Sequence, residues 1–216
     1  MAIRSDARVV IPHRGLWAGK SRLASALNPK ARFSLSEHML GRVAEAARAV
    51  VDDVQLISPD PLLREPASSL GLHFVLQRGR GLNEACEQAR SQAASDGVSV
   101  LAIISGDLPN VSEEDVAALL CAAERGDPPA LAIAPDARGT GTNGLALRLP
   151  APITFHFGPD SRSAHIMEAE RANTAWSIVS TPALAHDIDT PSDYHTWLRS
   201  SGRSAALSGA TVSEAL

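Results

Sequence analysis

Acidic residues directly follow apolar runs at two places in the sequence, and carboxylates at such positions can hold a metal ion. Asp107 follows the run 98–105 within SGDLP, and Gly106 beside it would let a ligand approach closely. Asp187 and Asp189 stand two residues apart in HDIDTPSD. Because Mg²⁺ prefers oxygen ligands, we predict that Asp107 binds it together with one of these two acids. The alternative is that the acids only cap helices or shape turns.

A loop rich in glycine and basic residues, RGLWAGKSR, follows the first apolar run. Arg14, Lys20 and Arg22 carry its positive charge, while Gly15 and Gly19 leave the backbone open. We expect the loop to enter a helix, whose free N–H groups and dipole favour phosphate. The spacing is one residue shorter than the GxxxxGK[ST] phosphate-binding loop. The pattern predicts a phosphate site, with a solvated basic turn as the alternative.

The stretch DARGTGTN, residues 136–143, contains small and polar residues that cannot fill a core. Such residues can leave backbone N–H groups free to line a concave anion site. The alternative is a flexible glycine-rich turn. We expect Asp136 to shape this turn or to orient the loop, and not to act as an acid or base.

The stretch HFGPDSRSAH is a second possible anion site at the start of a helix. Gly158, Ser161 and Ser163 lead into that helix, where backbone N–H groups are free. Arg162 and His165 would add positive or titratable character. The alternative is that Ser161 is an ordinary helix N-cap.

The composition is that of an ordinary globular protein and disfavours several functional classes. The 216 residues are 44% hydrophobic and 20% charged, which suits one α/β domain. The net charge of −4 argues against a basic nucleic-acid-binding protein, and 4% aromatic residues argue against a stacking platform for single strands. Cys86 and Cys121 are predicted to be buried thiols on helices. The sequence shows neither a signal peptide nor a membrane span, so we expect a cytoplasmic protein.

Apolar runs alternate with helical patterns along the chain. Strands are predicted at 7–12, 53–58, 73–77, 98–105, 130–135 and 176–180, with 145–149 and 153–157 as an antiparallel pair. Helices are predicted at 34–51, 81–97, 112–126, 161–173 and 191–202. This order predicts an α/β fold with a mostly parallel central sheet, helices on both faces and a small antiparallel addition. We expect one domain over 1–202 and a mobile tail over 203–216.

The candidate sites all follow predicted strands, which is where ligands bind in such sheets. Two anion sites, a basic loop and two acidic clusters together suit a triphosphate, a divalent metal and a second anionic substrate. The sequence contains no GxSxG, HExxH or CxxC motif, and no GxGxxG follows the first strand. These absences disfavour serine hydrolases, zinc peptidases, thiol redox proteins and dinucleotide-binding enzymes.

The same motifs, in the same order, resemble the 2-phospho-L-lactate guanylyltransferase family of coenzyme F420 biosynthesis. The matching stretches are VVIPHRGLWAGKSRLA, GLN, SGDLP, DARGTGTN, FGPDSRSAH and DIDTPSD. The match runs in order over residues 8–197. GTGTN followed by FGxxSxxxH is the specific part of the match. GDLP and DxDTP are shared with other nucleotidyltransferases, including those that act on molybdopterin.

The resemblance implies a nucleotidyltransferase-like fold and suggests a homodimer. It implies transfer of GMP from GTP to the phosphate of a three-carbon phospho-acid with release of pyrophosphate. The phospho-acid would contact Thr140, Thr142, Asn143, Gly158 and Ser161. The nucleotide would contact Gly15, Lys20, Arg22, Asn83 and Gly106. The implied catalytic residues are Arg14, Lys20 and Asp107, and Mg²⁺ would bind Asp107 with Asp187 or Asp189.

One residue departs from the family pattern, because Arg14 stands where the family usually has lysine. Arginine keeps the charge but binds as a planar fork. Three acceptors stay open: 2-phospho-L-lactate, phosphoenolpyruvate and 3-phospho-D-glycerate. Two other functions also stay open, namely a guanylyl- or cytidylyltransferase for a larger acceptor such as molybdopterin, and a non-catalytic nucleotide-binding module.

Overall fold

A seven-stranded sheet with helices on both faces forms the centre of the protein in a computed structural model, which describes residues 3–17, 19–125 and 129–200. The strands are β1 (Arg4–Pro12), β2 (Val51–Ser58), β3 (His73–Leu76), β4 (Val100–Ile104), β5 (Ala130–Pro135), β6 (Thr142–Arg148) and β7 (Ala175–Ile178). The helices are α1 (Pro29–Arg48), α2 (Arg64–Ser69), α3 (Gly81–Ser95), α4 (Glu113–Glu124), α5 (Ser161–Arg171), α6 (Pro182–Ala185) and α7 (Pro191–Ser200), with short 3₁₀ helices at Ser21–Ser25 and Pro61–Leu63. The tail predicted at 203–216 lies outside the described residues.

The strand order is β3-β2-β1-β4-β6-β5-β7, and β6 is the antiparallel member. The neighbouring strands β1, β2, β3 and β4 pair in parallel, as do β5 and β7. Because β6 runs against both of its neighbours, its first residues meet the carboxyl ends of β4 and β5. The mostly parallel sheet is therefore confirmed, with its antiparallel element in the interior.

The predicted antiparallel pairing of 145–149 with 153–157 is wrong. The first of these runs lies in β6 and pairs with β4 and β5, and the second is an extended segment outside the sheet. Its alternation is real, because Ile153 and Phe155 are buried against the sheet. Side chains accept its backbone N–H groups: Thr154 donates to Glu168, His156 to His165 and Phe157 to Asn83.

Two apolar layers cover the two faces of the sheet. Helices α1 and α4 pack on one face, and α3, α5 and the segment 151–157 pack on the other. A smaller third cluster joins Leu23 and Met39 to Ile188 and Trp197. It connects the 3₁₀ helix after the basic loop, helix α1 and the region around α7, and so fixes the basic loop near the second acidic motif.

Helix α1 begins five residues before the predicted start at residue 34. Asn28 is its N-cap and accepts a hydrogen bond from the N–H of Ala31 at 2.9 Å, and Pro29 occupies the first turn. Both features favour a helix start there. The basic loop enters the 3₁₀ helix Ser21–Ser25 and not an α-helix. The expectation of a helix dipole behind that loop is therefore wrong.

The two cysteines differ in their surroundings. Cys86 is buried on α3, as predicted, whereas Cys121 is exposed on α4. The second prediction fails because residue 121 lies on the solvent side of an amphipathic helix whose other face is buried. Within the part of the chain that the structure describes, no helix is both long and apolar enough to cross a bilayer.

Candidate active site

A charged cluster of Lys20, Asp107, Asp187 and Asp189 lies at the carboxyl edge of the sheet. The Lys20 Nζ atom donates to Asp107 Oδ2 at 2.6 Å and to Asp189 Oδ1 at 2.8 Å. The Lys20 side chain is only 8% exposed. Asp107 follows β4, Lys20 ends the loop after β1, and the other two acids lie between α6 and α7. The structure thus brings together the two acidic motifs and the lysine that the sequence singled out.

Backbone and hydroxyl groups hold the acids of the charged cluster in place. Ser105 Oγ donates to Asp107 Oδ1 at 2.5 Å, and the Ile188 N–H donates to the Asp107 carbonyl at 3.3 Å. The Asp193 carboxylate accepts the N–H groups of Asp189 and Thr190. Asp193 therefore caps the start of α7, and the Ile188 bond holds the DIDTP segment beside the residues that follow β4.

Burial and charge shift the pKa values within this cluster in opposite directions. Burial acts to raise the pKa of Asp107, but the Lys20 ammonium and the Ser105 hydrogen bond lower it below its usual range. Burial acts to lower the pKa of Lys20, and Asp107 and Asp189 raise it. The pKa of Asp187 is raised by burial and by the Asp107 charge. The cluster holds more negative charge than its single lysine neutralises, so it favours a further cation.

The three carboxylates fit a divalent cation by their chemistry and their spacing. Asp107, Asp187 and Asp189 each offer an oxygen, and these oxygens lie within 4.8 Å of one another. Oxygen donors at such separations suit Mg²⁺, which binds a few carboxylates and keeps several waters.

The basic residues of the first loop differ in how deeply they lie. Lys20 is inside the site, whereas Arg14 is exposed and the Arg22 side chain is 72% exposed. Arg22 Nη1 lies 3.8 Å from Asp189 Oδ2. Lys20 adopts a left-handed backbone conformation, with φ of 59°, which is uncommon outside glycine and asparagine. This conformation at the end of the loop accompanies the inward position of the ammonium group.

His13 was missed in the sequence analysis, although it directly follows β1. Its Nδ1 atom accepts the N–H of Gly15 at 3.0 Å, so the neutral ring carries its proton on Nε2. Burial lowers its pKa, partly opposed by the charge of Asp107. A Cβ on Gly106 would lie 3.3 Å from the His13 ring and 3.2 Å from Ile11. Glycine at 106 therefore leaves room for side chains of the protein itself, and the approach of a ligand there stays a prediction.

The carboxylate of Asp136 fills the backbone cradle predicted in DARGTGTN. Its Oδ1 atom accepts the N–H groups of Thr140 and Gly141, each at 2.9 Å, and its carbonyl accepts the N–H of Gly139. The prediction that Asp136 orients this loop is confirmed. The prediction of a backbone cradle for an external anion is wrong for these N–H groups, because the protein supplies its own anion.

A hydroxyl cluster of Thr142, Ser161 and His165 lies beside this loop. Ser161 Oγ donates to Thr142 Oγ1 at 3.2 Å, and the same oxygen lies 3.2 Å from His165 Nδ1. Ser161 begins α5, whose N-cap is Asp160 in a left-handed conformation. Ser161 is thus not the plain N-cap that the sequence allowed. Gly158 precedes this turn with φ of +136°, a conformation that side chains rarely adopt.

His165 lies on the buried face of α5 and not on the surface of the protein. It is completely buried, and burial, with a smaller contribution from His156, lowers its pKa to about 4. The ring is therefore neutral near pH 7. Sequence analysis suggested positive or titratable character, which the structure contradicts because no water reaches the ring.

Asn143 joins the hydroxyl cluster to the charged cluster. It is the extra residue of a β-bulge, since Ala134 pairs with Gly144 and Pro135 with Thr142. The buried Asn143 amide donates to the carbonyls of residues 184 and 185 at 3.0 and 3.1 Å, and to Asp187 Oδ1 at 3.2 Å. Bulges re-aim side chains near functional sites. Here the bulge lets neighbouring residues of one strand serve both clusters.

Asn83 holds the segment before Gly158. Its amide donates to the Phe157 carbonyl at 3.1 Å and its Oδ1 accepts the Phe157 N–H at 2.7 Å. Helix α3 therefore fixes the approach to the hydroxyl cluster. Both polar atoms of the Asn83 side chain make these bonds within the protein, which the sequence did not indicate.

Comparison with known proteins gives the family. A family model described as guanylyl transferase CofC like matches residues 7–205. The chain belongs to this family. A phosphoenolpyruvate guanylyltransferase of Rubrobacter xylanophilus is 40% identical over 185 residues, covering 85% of this chain and 89% of that protein. A 2-phospho-L-lactate guanylyltransferase of Methanothermobacter thermautotrophicus is 37% identical over 185 residues, covering 85% and 80%.

This member of the CofC-like family is a nucleotidyltransferase, and its fold agrees with that class. The crystal structure of a proposed nucleotide-diphospho-sugar transferase from Desulfovibrio desulfuricans G20 superposes with a TM-score of 0.78. The alignment covers 96% of this chain and 93% of that one, at 18% identity. The family resemblance and the nucleotidyltransferase-like fold expected from the motifs are both confirmed.

Proposed function

We propose that this enzyme transfers GMP from GTP to the phosphate of a small three-carbon phospho-acid and releases pyrophosphate. Phosphoenolpyruvate and 2-phospho-L-lactate are the acceptors named for its relatives, and 3-phospho-D-glycerate shares their combination of phosphate and carboxylate. The product would be a guanylylated precursor of coenzyme F420. Membership of the CofC-like guanylyl transferase family supports GMP as the group that is transferred.

The observation that carries this proposal is the connection between the two clusters. Thr142 lies in the hydroxyl cluster, and its neighbour Asn143 donates to Asp187 of the charged cluster. An acidic group whose chemistry suits a cation and a neutral group of hydroxyls thus lie at one edge of the sheet. This is the arrangement needed when a metal-bound triphosphate must face a second phosphate.

The charged cluster is assigned to the nucleotide. Asp107, with Asp187 or Asp189, would hold Mg²⁺, which when bound neutralises charge on the triphosphate. The positive charge of Lys20 would compensate the negative charge of the phosphates. Arg14 and Arg22 would contact the phosphates from the exposed side of the loop. We further assign Gly15, Gly106 and Asn83 to the walls of the nucleotide site.

The hydroxyl cluster is assigned to the phospho-acid. Thr142 would donate a hydrogen bond to a phosphate or carboxylate oxygen of this ligand, Ser161 would orient the Thr142 hydroxyl by donating to it, and Gly158 would admit the ligand to the backbone. Thr140 and Asn143 complete this half of the site. Asn143 would act through the position of Asp187, because its amide already bonds within the protein.

The reaction needs no general base, since the acceptor phosphate is ionised at neutral pH. One of its oxygens attacks the α-phosphorus of GTP in line. A bond forms between them, and the bond from the α-phosphorus to the bridging oxygen of pyrophosphate breaks. The electron pair leaves with pyrophosphate, whose charge Lys20 and the basic loop stabilise.

The test is release of pyrophosphate from GTP with Mg²⁺, with each of the three acids supplied separately and then in competition. We expect turnover with one preferred acid and a guanylylated product of the matching mass. ATP, CTP and UTP serve as controls for the base. Binding of GTP without turnover on any of the three acids would contradict the proposal.

We also propose that the enzyme acts in the cytoplasm as a homodimer that does not bind nucleic acid. Its GTP donor is a cytoplasmic metabolite, and its net charge of −4 opposes binding to polyanions. Cell fractionation tests the cytoplasmic location, and light scattering after size-exclusion chromatography tests the homodimer. A shift assay with duplex and single-stranded DNA tests the third.

A further inference from the structure

A chain of hydrogen bonds leads from a backbone N–H through the His165 ring to the Thr142 hydroxyl. The N–H of His156 donates to His165 Nε2 at 2.9 Å. A ring nitrogen that accepts a hydrogen bond carries no proton, and the buried ring is neutral near pH 7. The single ring proton therefore belongs on Nδ1, the nitrogen that lies 3.2 Å from Thr142 Oγ1.

This tautomer decides how the Thr142 hydroxyl can be used. Thr142 Oγ1 accepts from His165 Nδ1 and also from Ser161 Oγ. Both lone pairs of the hydroxyl oxygen are then engaged, and its own hydrogen must point away from these two partners. Phosphate and carboxylate oxygens only accept hydrogen bonds. A hydroxyl that is held as a donor therefore suits such a ligand. A hydroxyl that rotates freely would for part of the time point its lone pairs at the ligand oxygen and make no hydrogen bond with it.

We propose that His165 is a positioning residue that fixes Thr142 as a hydrogen-bond donor to the phospho-acid acceptor. The inference rests on the proposed function for its ligand, but its first part, the tautomer, does not. His165 itself does not touch the ligand, because it is completely buried. Chains of aligned hydrogen bonds also strengthen one another in surroundings of low polarity.

A purely structural role is the competing explanation. His165 packs edge-on against the Phe157 ring, with the ring centroids 4.9 Å apart, and it satisfies the His156 N–H. Loss of either contact would loosen the segment before α5 without any specific effect on Thr142. The tests must therefore separate the position of one proton from the packing of a ring.

The first test is nitrogen-15 NMR of the imidazole rings in the ligand-free protein at pH 7. We expect the His165 resonances to show a protonated Nδ1 and an unprotonated Nε2. Assignment comes from loss of these signals in His165→Asn. A proton on Nε2, or a charged ring, would overturn the inference whatever the enzyme's substrate is.

The second test is a double-mutant cycle with His165→Leu and Thr142→Val, read as KM for phosphoenolpyruvate or whichever of the three acids supports turnover. We expect each single variant to raise that KM about tenfold and to leave KM for GTP within about twofold. If His165 acts through Thr142, the double variant will match Thr142→Val alone. Multiplying effects, or an equal rise in KM for GTP, would overturn the inference.

His165→Asn provides the conservative control. Its side-chain N–H lies near the position of Nδ1 and can still donate to Thr142, although the His156 N–H loses its acceptor. We expect it to recover most of the acceptor KM lost in His165→Leu while remaining less stable than the wild type. Recovery of stability without recovery of KM would favour the structural role and overturn the inference. Absence of turnover in the wild type would instead refute the proposed function and leave the NMR result valid.

Discussion

The charged cluster and the hydroxyl cluster lie at the same edge of the sheet, yet different forces hold them. In the first, Lys20 is bonded to Asp107 and Asp189 at 2.6 and 2.8 Å, and the pKa values of these groups shift through one another's charge. In the second, neutral groups are aligned by directional bonds around the buried ring of His165. Neither cluster contains a strong general base.

This difference separates two tasks of a group-transfer enzyme. A charged cluster can exchange one cation for another, so it suits a ligand that arrives with its own metal and heavy charge. A neutral, directional cluster cannot compensate charge but can select the position of acceptor oxygens. We therefore expect changes in the charged cluster to reduce the rate, and changes in the hydroxyl cluster to reduce acceptor affinity.

The largest effect is expected for Asp107→Asn, which keeps the shape of the side chain and removes its charge. Loss of a carboxylate assigned to the metal and of the nearer of the two partners of Lys20 should lower kcat by about a thousandfold or more. Pyrophosphate release measures it, and circular dichroism checks the fold. Asp52→Asn, an exposed carboxylate at the opposite end of the sheet, is the matched control. Turnover near that of the wild type would break the comparison, because the charged cluster would then not carry the rate.

Lys20→Met should lower kcat by about a hundredfold, because the leaving pyrophosphate loses a buried cation. Lys20→Arg should not restore the rate, since a planar fork cannot take the place of a compact ammonium group between two carboxylates. The measurement is single-turnover kinetics with saturating GTP and acceptor. A change confined to the KM of the acceptor would show that the two clusters share their tasks.

Asn143→Ala tests the connection between the clusters. Loss of a buried amide whose two N–H groups serve three acceptors should cost about 2 kcal/mol of unfolding free energy and about tenfold in kcat, because Asp187 loses its partner. Urea unfolding and steady-state kinetics measure the two effects. Gln92→Ala, which removes an exposed amide from α3, should change neither. Full activity in a destabilised Asn143→Ala protein would mean that the clusters operate independently.

The smallest effect is expected in the dependence of stability on pH. The pKa of His165 is about 4 in the folded protein, against an ordinary value of 6.5, because burial opposes its charged form. Below pH 6.5 the unfolded chain binds a proton that the folded protein does not, so stability falls as pH falls toward 4. From pH 7.5 to 5.5, wild type should lose about 1 kcal/mol more than His165→Leu. Equal losses in urea unfolding would show that the ring is hydrated, and the neutral cluster would need reinterpretation.

Much of the charged cluster could be predicted from the sequence, for a physical reason. The carboxyl ends of parallel strands converge at one edge of the sheet, so Asp107 and the basic loop were expected there. The DIDTP motif was expected beside them because its two acids could share a metal ion with Asp107. The arrangement around Lys20 could not be predicted. It depends on a left-handed backbone at that residue and on packing between Leu23 and Ile188, which are distant in sequence.

The hydroxyl cluster was less predictable, because its bonds are decided by burial and not by residue type. Histidine in FGxxSxxxH suggested charge, and only its complete burial shows a neutral ring. The bulge at Asn143 has no sequence signal, since no glycine or proline stands at the extra position. By contrast, the early start of α1 was marked by Asn28 and Pro29, and hydrophobic periodicity alone placed it too late.

The antiparallel strand in the interior of the sheet has an evolutionary consequence. Because β6 starts where β4 and β5 end, the contacts assigned to the acceptor are drawn from one uninterrupted stretch, 136–165, which the pairing of β6 with both neighbours anchors to the sheet. Substitutions within that stretch, Asn143 apart, can retune the acceptor while the residues assigned to the metal and the triphosphate stay unchanged. Enzymes that use different acceptors could therefore diverge within this stretch while they keep the residues assigned to catalysis in common.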